Sequence, residues 1–355
     1  MTDTLDIKIT RTSKSRLAET DFSNLVFGRT FSDHMLVADY SDGEWKNFQI
    51  VPYGEITVSP GISALHYGQS FFEGIKAYKH ADGKVSIFRP DKNAARFNKS
   101  AERLCMPTIP EDVFLQSLAA IVDIDRDWIP GAAGHSLYIR PFMFATDQYL
   151  GVAPSQTYKY MVLLCPVGPY FTKPLRVKIE THYTRSAEGG MGFAKSSGNY
   201  GGSMFPAKKA TEEGFDQLIW TDAKEHRYIE EMGAANAMFM IDGKLVTPPA
   251  LDTILDGVTR DTVIQLAHDF GVPVDIRKVS VDELIETAKN GKLTDAFGAG
   301  TAATIAPVGS IYANGEEYTL IAPEKREFSQ KALKALDAIR YGNAPDTHGW
   351  NYLVG

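Results

Sequence analysis

Residues 189–203 read Gly-Gly-Met-Gly-Phe-Ala-Lys-Ser-Ser-Gly-Asn-Tyr-Gly-Gly-Ser, and the interpretation of the whole chain turns on this stretch. Six of its fifteen residues are glycine, and its only charged side chain is that of Lys195. A lysine flanked by small and apolar residues can be desolvated, which favours the neutral amine and makes it available as a nucleophile. A solvated lysine in an ordinary glycine-rich loop fits the local pattern as well. Only motifs elsewhere in the chain can distinguish these two interpretations of Lys195.

The composition is that of a soluble globular protein. The chain has 355 residues, of which 44% are hydrophobic and 23% charged, and its net charge of -7 disfavours binding to nucleic acid or to anionic lipid. The amino terminus is polar and acidic, unlike a signal peptide, and no apolar run approaches the roughly 18 to 20 residues of a membrane span. We therefore expect a cytoplasmic protein with no nucleic-acid or membrane partner.

Cysteine and histidine usage gives no indication of a disulfide framework or of a metal site. Cys105 and Cys165 both lie in apolar sequence, which predicts two buried thiols. The eight histidines never recur at the helical spacing of zinc ligands, so we expect no metal.

The length predicts two domains. Short strands and hairpins, including one predicted at 25–27, come first and are followed by helices over 91–104 and 110–127 and by two apolar strands. We expect a smaller N-terminal α/β domain over 1–170, an interdomain connection over 171–192, and a larger C-terminal domain over 193–355. Helices over 200–213, 260–270, 281–289 and 327–341 are predicted in the second half, and the fold class is α+β or α/β.

Several short motifs could serve one cofactor. Pyridoxal phosphate, an electron sink, needs a carboxylate at its ring nitrogen, backbone donors and a cation at its phosphate, and a hydroxyl near its phenolate oxygen. The candidates are Glu230-Glu231, the helix start at 257–259, the small-residue loop at 298–303, Tyr200 and Arg96. Each is more often structural when it is taken alone. Glu230-Glu231 could be a solvated acidic turn, Thr259 a simple helix cap, and the Arg96 helix a salt-bridged surface element.

Taken in order, the motifs resemble those of the branched-chain amino acid aminotransferases, pyridoxal phosphate enzymes of fold type IV. The resemblance runs over nearly the whole chain and rests on residues 65–77 (Leu-His-Tyr-Gly-Gln-Ser-Phe-Phe-Glu-Gly-Ile-Lys-Ala), 88–90 with Arg96, 137–141, 165–170 (Cys-Pro-Val-Gly-Pro-Tyr), 195–200, 231–233, 247–249, 257–260 and 298–301. It implies two domains, a barrel-like mixed sheet in the C-terminal domain, and a cofactor at the domain interface.

The resemblance also implies a role for each cofactor-binding residue. Lys195 is expected to bind the cofactor covalently and then to carry the proton between the substrate and the cofactor. Glu231 would hold the ring nitrogen, and Tyr200 the phenolate oxygen. The phosphate would be bound by Arg96, by the backbone of Val258 and Thr259, and by Thr301. Arg185 would lie nearby.

The implied substrates are leucine, isoleucine or valine together with 2-oxoglutarate and glutamate. The pocket walls would be Phe27, Phe72, Tyr138 and Tyr170, with Tyr67, Leu150 and Val152 contributed across a homodimer interface. The α-carboxylate would meet the backbone N–H groups of Ala302 and Ala303, and the γ-carboxylate of glutamate would meet Arg140. The sequence departs from the family in having Ala303 and Ala306 where animal members carry a CxxC pair, and Ala234 where relatives carry a hydroxyl.

Three other functions remain open at this point. A D-amino acid aminotransferase or an aminodeoxychorismate lyase would share the fold type but lack the Tyr138-x-Arg140 and 165–170 patterns. A phosphate-ligand binding protein without turnover could use the same glycine loops, although Lys195 together with Glu231 argues against it.

Overall fold

The computed structural model describes residues 4–355, which form two compact units. The first unit contains residues 4–170, 194–198 and 338–355, and the second contains residues 171–193 and 199–337. Within the described residues, no helix is long and apolar enough to cross a membrane.

Residues 4–355 form eighteen strands and seven α-helices. The strands are β1 Lys8–Ile9, β2 His34–Ser41, β3 Glu44–Pro52, β4 Ser70–Phe72, β5 Ile75–Lys79, β6 Val85–Phe88, β7 Ser136–Ala145, β8 Tyr158–Val167, β9 Leu175–Ile179, β10 Gln217–Thr221, β11 Ile229–Met232, β12 Ala235–Ile241, β13 Lys244–Thr247, β14 Val274–Ile276, β15 Leu293–Gly300, β16 Thr304–Ala313, β17 Glu316–Thr319 and β18 Asn351–Val354. The helices are α1 Ser63–Tyr67, α2 Pro90–Arg103, α3 Glu111–Ile124, α4 Ser197–Glu212, α5 Val258–Asp269, α6 Val281–Lys289 and α7 Phe328–Arg340.

The first unit is built on one mixed sheet covered by helices. Its strand order is β1-β3-β2-β8-β7-β5-β6-β18, with β4 paired to β7, and every pair except β1–β3 is antiparallel. Proline at its first position starts α2, because that position needs no backbone N–H. Phe97 of α2, Phe114 of α3 and Tyr160 of β8 pack together with ring centroids 5.1 to 6.2 Å apart, which fastens both helices to the sheet.

The second unit contains a closed six-stranded barrel. Its strands follow the order β11-β10-β9-β16-β15-β12, and β12 pairs back onto β11. The pairs β9–β10 and β9–β16 are parallel, and the others in the ring are antiparallel. Strands β13, β14 and β17 extend the sheet. Closure leaves no open edge in the ring, and apolar side chains from all six strands fill the core of this unit.

The division of the chain differs from the predicted one in three respects. Strand β9 of the barrel lies inside the segment expected to be a connection, at 171–192. Residues 194–198 and 338–355 belong to the first unit, since Phe71 pairs with Ser196 and β18 pairs with β6. As a result the first unit is the larger one, whereas a smaller N-terminal domain was expected.

Two local predictions were wrong. Residues 25–27 form no strand, because the chain enters a turn in which Gly28 has a φ of 72°. Cys105 is exposed while Cys165 is buried. Cys105 lies two residues after the last residue of α2, where the backbone turns with a positive φ of 53°.

Candidate active site

Lys195 has a fixed position in the first unit. Its backbone N–H donates to the Ser100 hydroxyl of α2 at 3.0 Å, and its carbonyl accepts from the backbone N–H of Phe72 at 3.2 Å. The Lys195 ammonium lies 5.2 Å from the centre of the Phe72 ring. The lysine is therefore held between strand β4 and helix α2, and the alternative of a solvated loop lysine does not describe it.

A buried carboxylate, Glu73, organises the surroundings of this lysine. It follows β4 and is 0% exposed. Arg96 of α2 donates to it from Nε at 2.7 Å and from Nη2 at 2.8 Å, and Asn93 donates from Nδ2 at 2.6 Å. Burial alone would raise the pKa of Glu73, but Arg96, Lys195 and Asn93 outweigh it and hold the pKa below its usual value. Glu73 is thus ionised and orients the Arg96 guanidinium through two hydrogen bonds.

Glu73 lies within the 65–77 motif, but no role for it was predicted from the sequence. The available signal was a lone acidic residue in the otherwise largely apolar run at 70–77. Arg96, expected to bind phosphate, is buried rather than part of a salt-bridged surface helix.

Aromatic rings and one arginine line the predicted substrate region of the first unit. Phe27 packs edge-on against Tyr138 and Tyr170, with ring centroids 4.9 and 5.0 Å apart. Arg140 lies two residues after Tyr138 on β7, so both side chains face the same side of the sheet. Its Nη2 donates to the Tyr138 hydroxyl at 3.0 Å, and its guanidinium lies 4.3 Å from the centre of the Phe72 ring.

Close packing leaves no space for a side chain beside Tyr138. A Cβ at position 74 would lie 2.2 Å from the Tyr138 hydroxyl, so glycine is required there. Strand β7 lies between β8 and β5, so Arg140 does not lie on an edge strand.

The three residues expected to reach a second subunit lie on the surface of the first unit. Tyr67 is 42% exposed, Leu150 is 64% exposed and Val152 is 88% exposed. The Tyr67 hydroxyl donates to the Leu150 carbonyl, which ties α1 to the loop after β7. These exposed apolar side chains form what we call the 67/150/152 patch.

In the second unit, Glu231 and Arg185 form a buried ion pair. Arg185 Nε lies 2.8 Å from Glu231 Oε2, and the backbone N–H of Leu255 donates to Glu231 Oε1 at 2.7 Å. Arg185 also donates to the carbonyls of Thr253 at 3.0 Å and of Gly192 at 3.3 Å. Glu230 and Glu231 both lie in buried strand β11, so the alternative of a solvated acidic turn is excluded.

Helix α5 begins without a side-chain cap. Gly257 is its N-cap residue, and Val258 and Thr259 form its buried first turn, two residues before the start predicted at 260. A Cβ at Gly257 would lie 1.8 Å from Asn236 Oδ1, while Asn236 Nδ2 donates to the Leu255 carbonyl at 2.8 Å. This uncapped start, with no side chain over it, is suited to an anion.

The remaining predicted residues lie at two turns of the second unit. Thr301, Ala302 and Ala303 form the turn between β15 and β16, which ends at Thr304 with a φ of 59°. Tyr200 lies in the first turn of α4, half-buried. Their contacts with a ligand stay predictions.

Comparison with known proteins identifies relatives over the full chain. The family model "Amino-transferase class IV" matches residues 70–311. A probable branched-chain-amino-acid aminotransferase of Staphylococcus aureus (strain MRSA252) is 43% identical over 100% of this chain and 99% of its own length. The branched-chain-amino-acid aminotransferase 2 of Bacillus subtilis (strain 168) is 43% identical over 99% of this chain and 97% of its own length.

Solved structures share the fold. The branched-chain aminotransferase of Thermoproteus uzoniensis with norvaline superposes with a TM-score of 0.76 at 25% identity, covering 91% of this chain and 100% of that one. The branched-chain amino acid aminotransferase of Escherichia coli gives a TM-score of 0.75 at 26% identity, covering 91% of this chain and 99% of that one. The Thermobaculum terrenum enzyme in its PLP-bound holo-form gives 0.74 at 25% identity, covering 90% and 98%.

Proposed function

The chain belongs to the class IV aminotransferase family and acts as a branched-chain-amino-acid aminotransferase, and we propose how its own residues divide this work. The family, the fold type and the aminotransferase activity expected from the sequence are confirmed. The observation that supports the division most directly is the fixed position of Lys195 between β4 and α2.

The donor groups present fit the cofactor of this family. A phosphate needs a helix start free of side chains, which Gly257 provides, and a ring nitrogen needs a buried carboxylate, which Glu231 provides. Pyridoxal phosphate, when bound, supplies the electron sink that accepts the electron pair of the substrate Cα–H bond.

Lys195 is the catalytic base of the proposal. Its Nζ would hold the cofactor and, once free, would accept the proton from the substrate Cα and return it in the reverse direction. The backbone hydrogen bonds with Ser100 and Phe72 fix the main chain of Lys195, so the same amine is available in both half-reactions.

The other cofactor contacts follow from charge and position. The phosphate would be held by Arg96, which Glu73 orients, by the first turn of α5 at Val258 and Thr259, and by Thr301. Glu231 would accept a hydrogen bond from the protonated ring nitrogen, while Arg185 holds its other oxygen. Tyr200 would donate to the phenolate oxygen.

The substrate contacts explain how one pocket accepts two kinds of side chain. Phe27, Phe72, Tyr138 and Tyr170 supply apolar surface for leucine, isoleucine or valine. Arg140 supplies the cation for the γ-carboxylate of glutamate, with the Tyr138 hydroxyl beside it. Backbone N–H groups of Ala302 and Ala303 bind the α-carboxylate.

The proposal includes a homodimer in the cytoplasm. The exposed 67/150/152 patch is apolar enough to be buried against a second copy, which would complete the substrate pocket with these residues. Both cysteines are free thiols, as is usual for proteins of reducing compartments.

One experiment tests the function directly. The purified protein, reconstituted with pyridoxal phosphate, should be yellow, should bleach when L-leucine is added, and should regain its colour with 2-oxoglutarate. A D-amino acid that bleached it in place of L-leucine would point to a D-amino acid aminotransferase. A protein that binds the cofactor but does not respond to any amino acid would be a binding protein, and the proposal would be wrong.

A further inference from the structure

Phe31 is an aromatic residue that the proposed substrate pocket does not include. It lies four residues after Phe27 and is half-buried, and both rings pack against a buried cluster of Tyr138, Cys165 and Val167. Tyr138 of β7 and Cys165 of β8 are direct partners across the two strands, so their side chains share one face of the sheet. Phe31 therefore contacts the same cluster that carries two of the proposed pocket walls.

The ring of Phe31 is held by a second ring, that of Tyr53. Tyr53 directly follows β3, and the two rings are stacked, with centroids 4.7 Å apart and planes 10° apart. The backbone N–H of Tyr53 donates to the Asp33 carbonyl at 2.8 Å, and the Arg16 guanidinium lies 5.2 Å from the centre of the Tyr53 ring. The Phe31 ring cannot turn away from the cluster without losing this stacking.

The main chain at 31–33 is fixed from two directions. From the sheet, the Leu164 carbonyl of β8 accepts from the Ser32 N–H at 2.9 Å. From the N-terminal segment, Arg16 Nη2 donates to the carbonyls of Phe31, at 3.2 Å, and of Ser32. The backbone N–H of Arg16 also donates to the buried carboxylate of Asp33 at 2.9 Å. The position of Phe31 is thus set by contacts on its main chain as well as on its ring.

We propose that Phe31 is a positioning residue of the substrate pocket, which supports the cluster beneath Phe27 and Tyr138 and so limits the size of the substrate side chain that these walls admit. Protein interiors are closely packed, so a smaller side chain at position 31 leaves space into which the two walls can move. The pocket then becomes deeper. This inference rests on the proposed function, because it needs Phe27 and Tyr138 to line the pocket.

The test compares two ligands on the full-length protein reconstituted with pyridoxal phosphate. The ligands are 4-methylpentanoate and 3-phenylpropanoate, which carry the side chains of leucine and phenylalanine but have no amine, so no reaction follows binding. Calorimetry gives the Kd of each. In Phe31→Leu, the Kd of 3-phenylpropanoate divided by that of 4-methylpentanoate should be at least about fivefold lower than in the wild type.

A matched variant tests whether the effect is specific to this position. Phe22→Leu makes the same change in the same N-terminal part of the chain. The Phe22 ring packs against Trp128, with centroids 6.1 Å apart, and is not a member of the cluster under the pocket walls. Phe22→Leu should therefore leave the ratio of the two Kd values as it is in the wild type.

A second variant tests the proposal even if Phe31→Leu does not fold. Arg16→Met keeps an apolar side chain of similar length but removes both hydrogen bonds to the carbonyls at 31 and 32. Because the main chain is then less firmly fixed, the ratio should fall about twofold or more. Arg11→Met, the same change at an exposed position of the same segment, should leave the ratio unchanged.

The outcomes separate the inference from the function on which it rests. An unchanged ratio in Phe31→Leu or, if that variant does not fold, in Arg16→Met would overturn the role of Phe31, and so would an equal fall in Phe22→Leu. A loss of affinity that is equal for the two ligands would show a purely structural residue and would overturn it as well. A wild-type protein that binds neither acid and is not bleached by L-leucine would overturn the proposed function itself.

Discussion

Glu73 and Arg96 are both buried, and each supplies the counter-charge of the other. Removing one partner leaves an uncompensated buried charge, which typically costs about 3 to 5 kcal/mol. Glu73→Ala should therefore lower the free energy of unfolding by about that amount, measured by urea denaturation of the apo-protein. Glu102 is an exposed carboxylate on α2, the helix that carries Arg96. Glu102→Ala should change the free energy of unfolding by less than about 0.5 kcal/mol.

Glu73→Gln separates orientation from charge. The amide keeps the shape of the side chain and one acceptor for Arg96 but removes the negative charge, so the loss of stability should be smaller than that of Glu73→Ala without vanishing. Because the guanidinium is then held less firmly, cofactor release should become faster, measured by dialysis and absorbance. Equal cofactor retention in Glu73→Gln and wild type would show that Glu73 does not act on the cofactor site.

Arg140 should matter for one substrate more than for the other. Arg140→Gln removes the proposed cation for a γ-carboxylate while leaving the aromatic walls in place. We expect kcat/KM for L-glutamate to fall at least about 100-fold, and that for L-leucine to fall less than about tenfold. Equal losses for both amino acids in half-reaction kinetics would contradict the role given to Arg140.

Glu230 should make the stability of the apo-protein depend on pH. The folded chain holds this proton up to a pKa of about 7, whereas an ordinary glutamate releases it near 4.5. Folding therefore becomes less favourable as pH rises from 4.5 to 7, by up to about 3 kcal/mol, and levels off above. Glu230→Gln should flatten this part of the stability profile, measured by denaturant unfolding at each pH. An unchanged slope would contradict the raised pKa.

Single-residue predictions were possible where the residue itself carried the signal. Lys195 and Glu231 are charged residues in small or apolar surroundings, which is visible in the sequence. Glu73 and Thr253 were missed because their roles depend on partners far along the chain. Arg96 is 23 residues from Glu73, and Arg185 is 68 residues from Thr253.

The start of helix α5 requires that residue 257 carry no side chain. At Gly257 the φ of -77° suits alanine, so only the close approach to Asn236 excludes a Cβ. Gly257→Ala should displace the start of α5 and raise the Kd for pyridoxamine 5'-phosphate about tenfold or more, measured by fluorescence. Gly54→Ala, where nothing lies within 4 Å of the added Cβ, should leave the Kd unchanged. If Gly257→Ala left the Kd for pyridoxamine 5'-phosphate unchanged, the start of α5 would be excluded as the phosphate site.

Elements with strong local signals were predicted well. Helix α6 has the predicted bounds of 281–289, and Ser280 caps it by accepting from the Glu283 N–H at 3.1 Å. Strand β9 was missed because it is short and lies in a segment rich in glycine, serine and charge. Its five residues alternate between apolar and charged side chains. Its pairing with β10 and β16 supplies the stabilisation that the local sequence does not show.

The arrangement of the whole molecule comes from contacts between distant parts of the chain. Closure of the barrel needs β11 beside β12 and β9 beside β16, and the last of these pairs joins residues more than a hundred positions apart. Likewise β18 pairs with β6, which returns the end of the chain to the first unit. No local pattern encodes such pairings, so the sequence predicted the presence of two domains better than their boundaries.

The 67/150/152 patch should govern assembly. Val152→Asp places a charge on a side chain that is 88% exposed, so the folded unit should tolerate it. Burial of that charge against a second copy would be costly, so the variant should be monomeric in sedimentation velocity, whereas the wild type should be dimeric. Gln156→Asp, a substitution at another exposed position, serves as the control. A monomeric wild type would contradict the homodimer.

Lys195 is proposed to carry the proton in both directions of amino transfer. Exchange of the Cα hydrogen of L-leucine with deuterated solvent, followed by proton NMR, reports this step alone. We expect ready exchange with the wild type for L-leucine and for L-glutamate, and a loss of at least about 100-fold for both in folded Lys195→Ala. Undiminished exchange in that variant would show that another group moves the proton and that Lys195 is not the base.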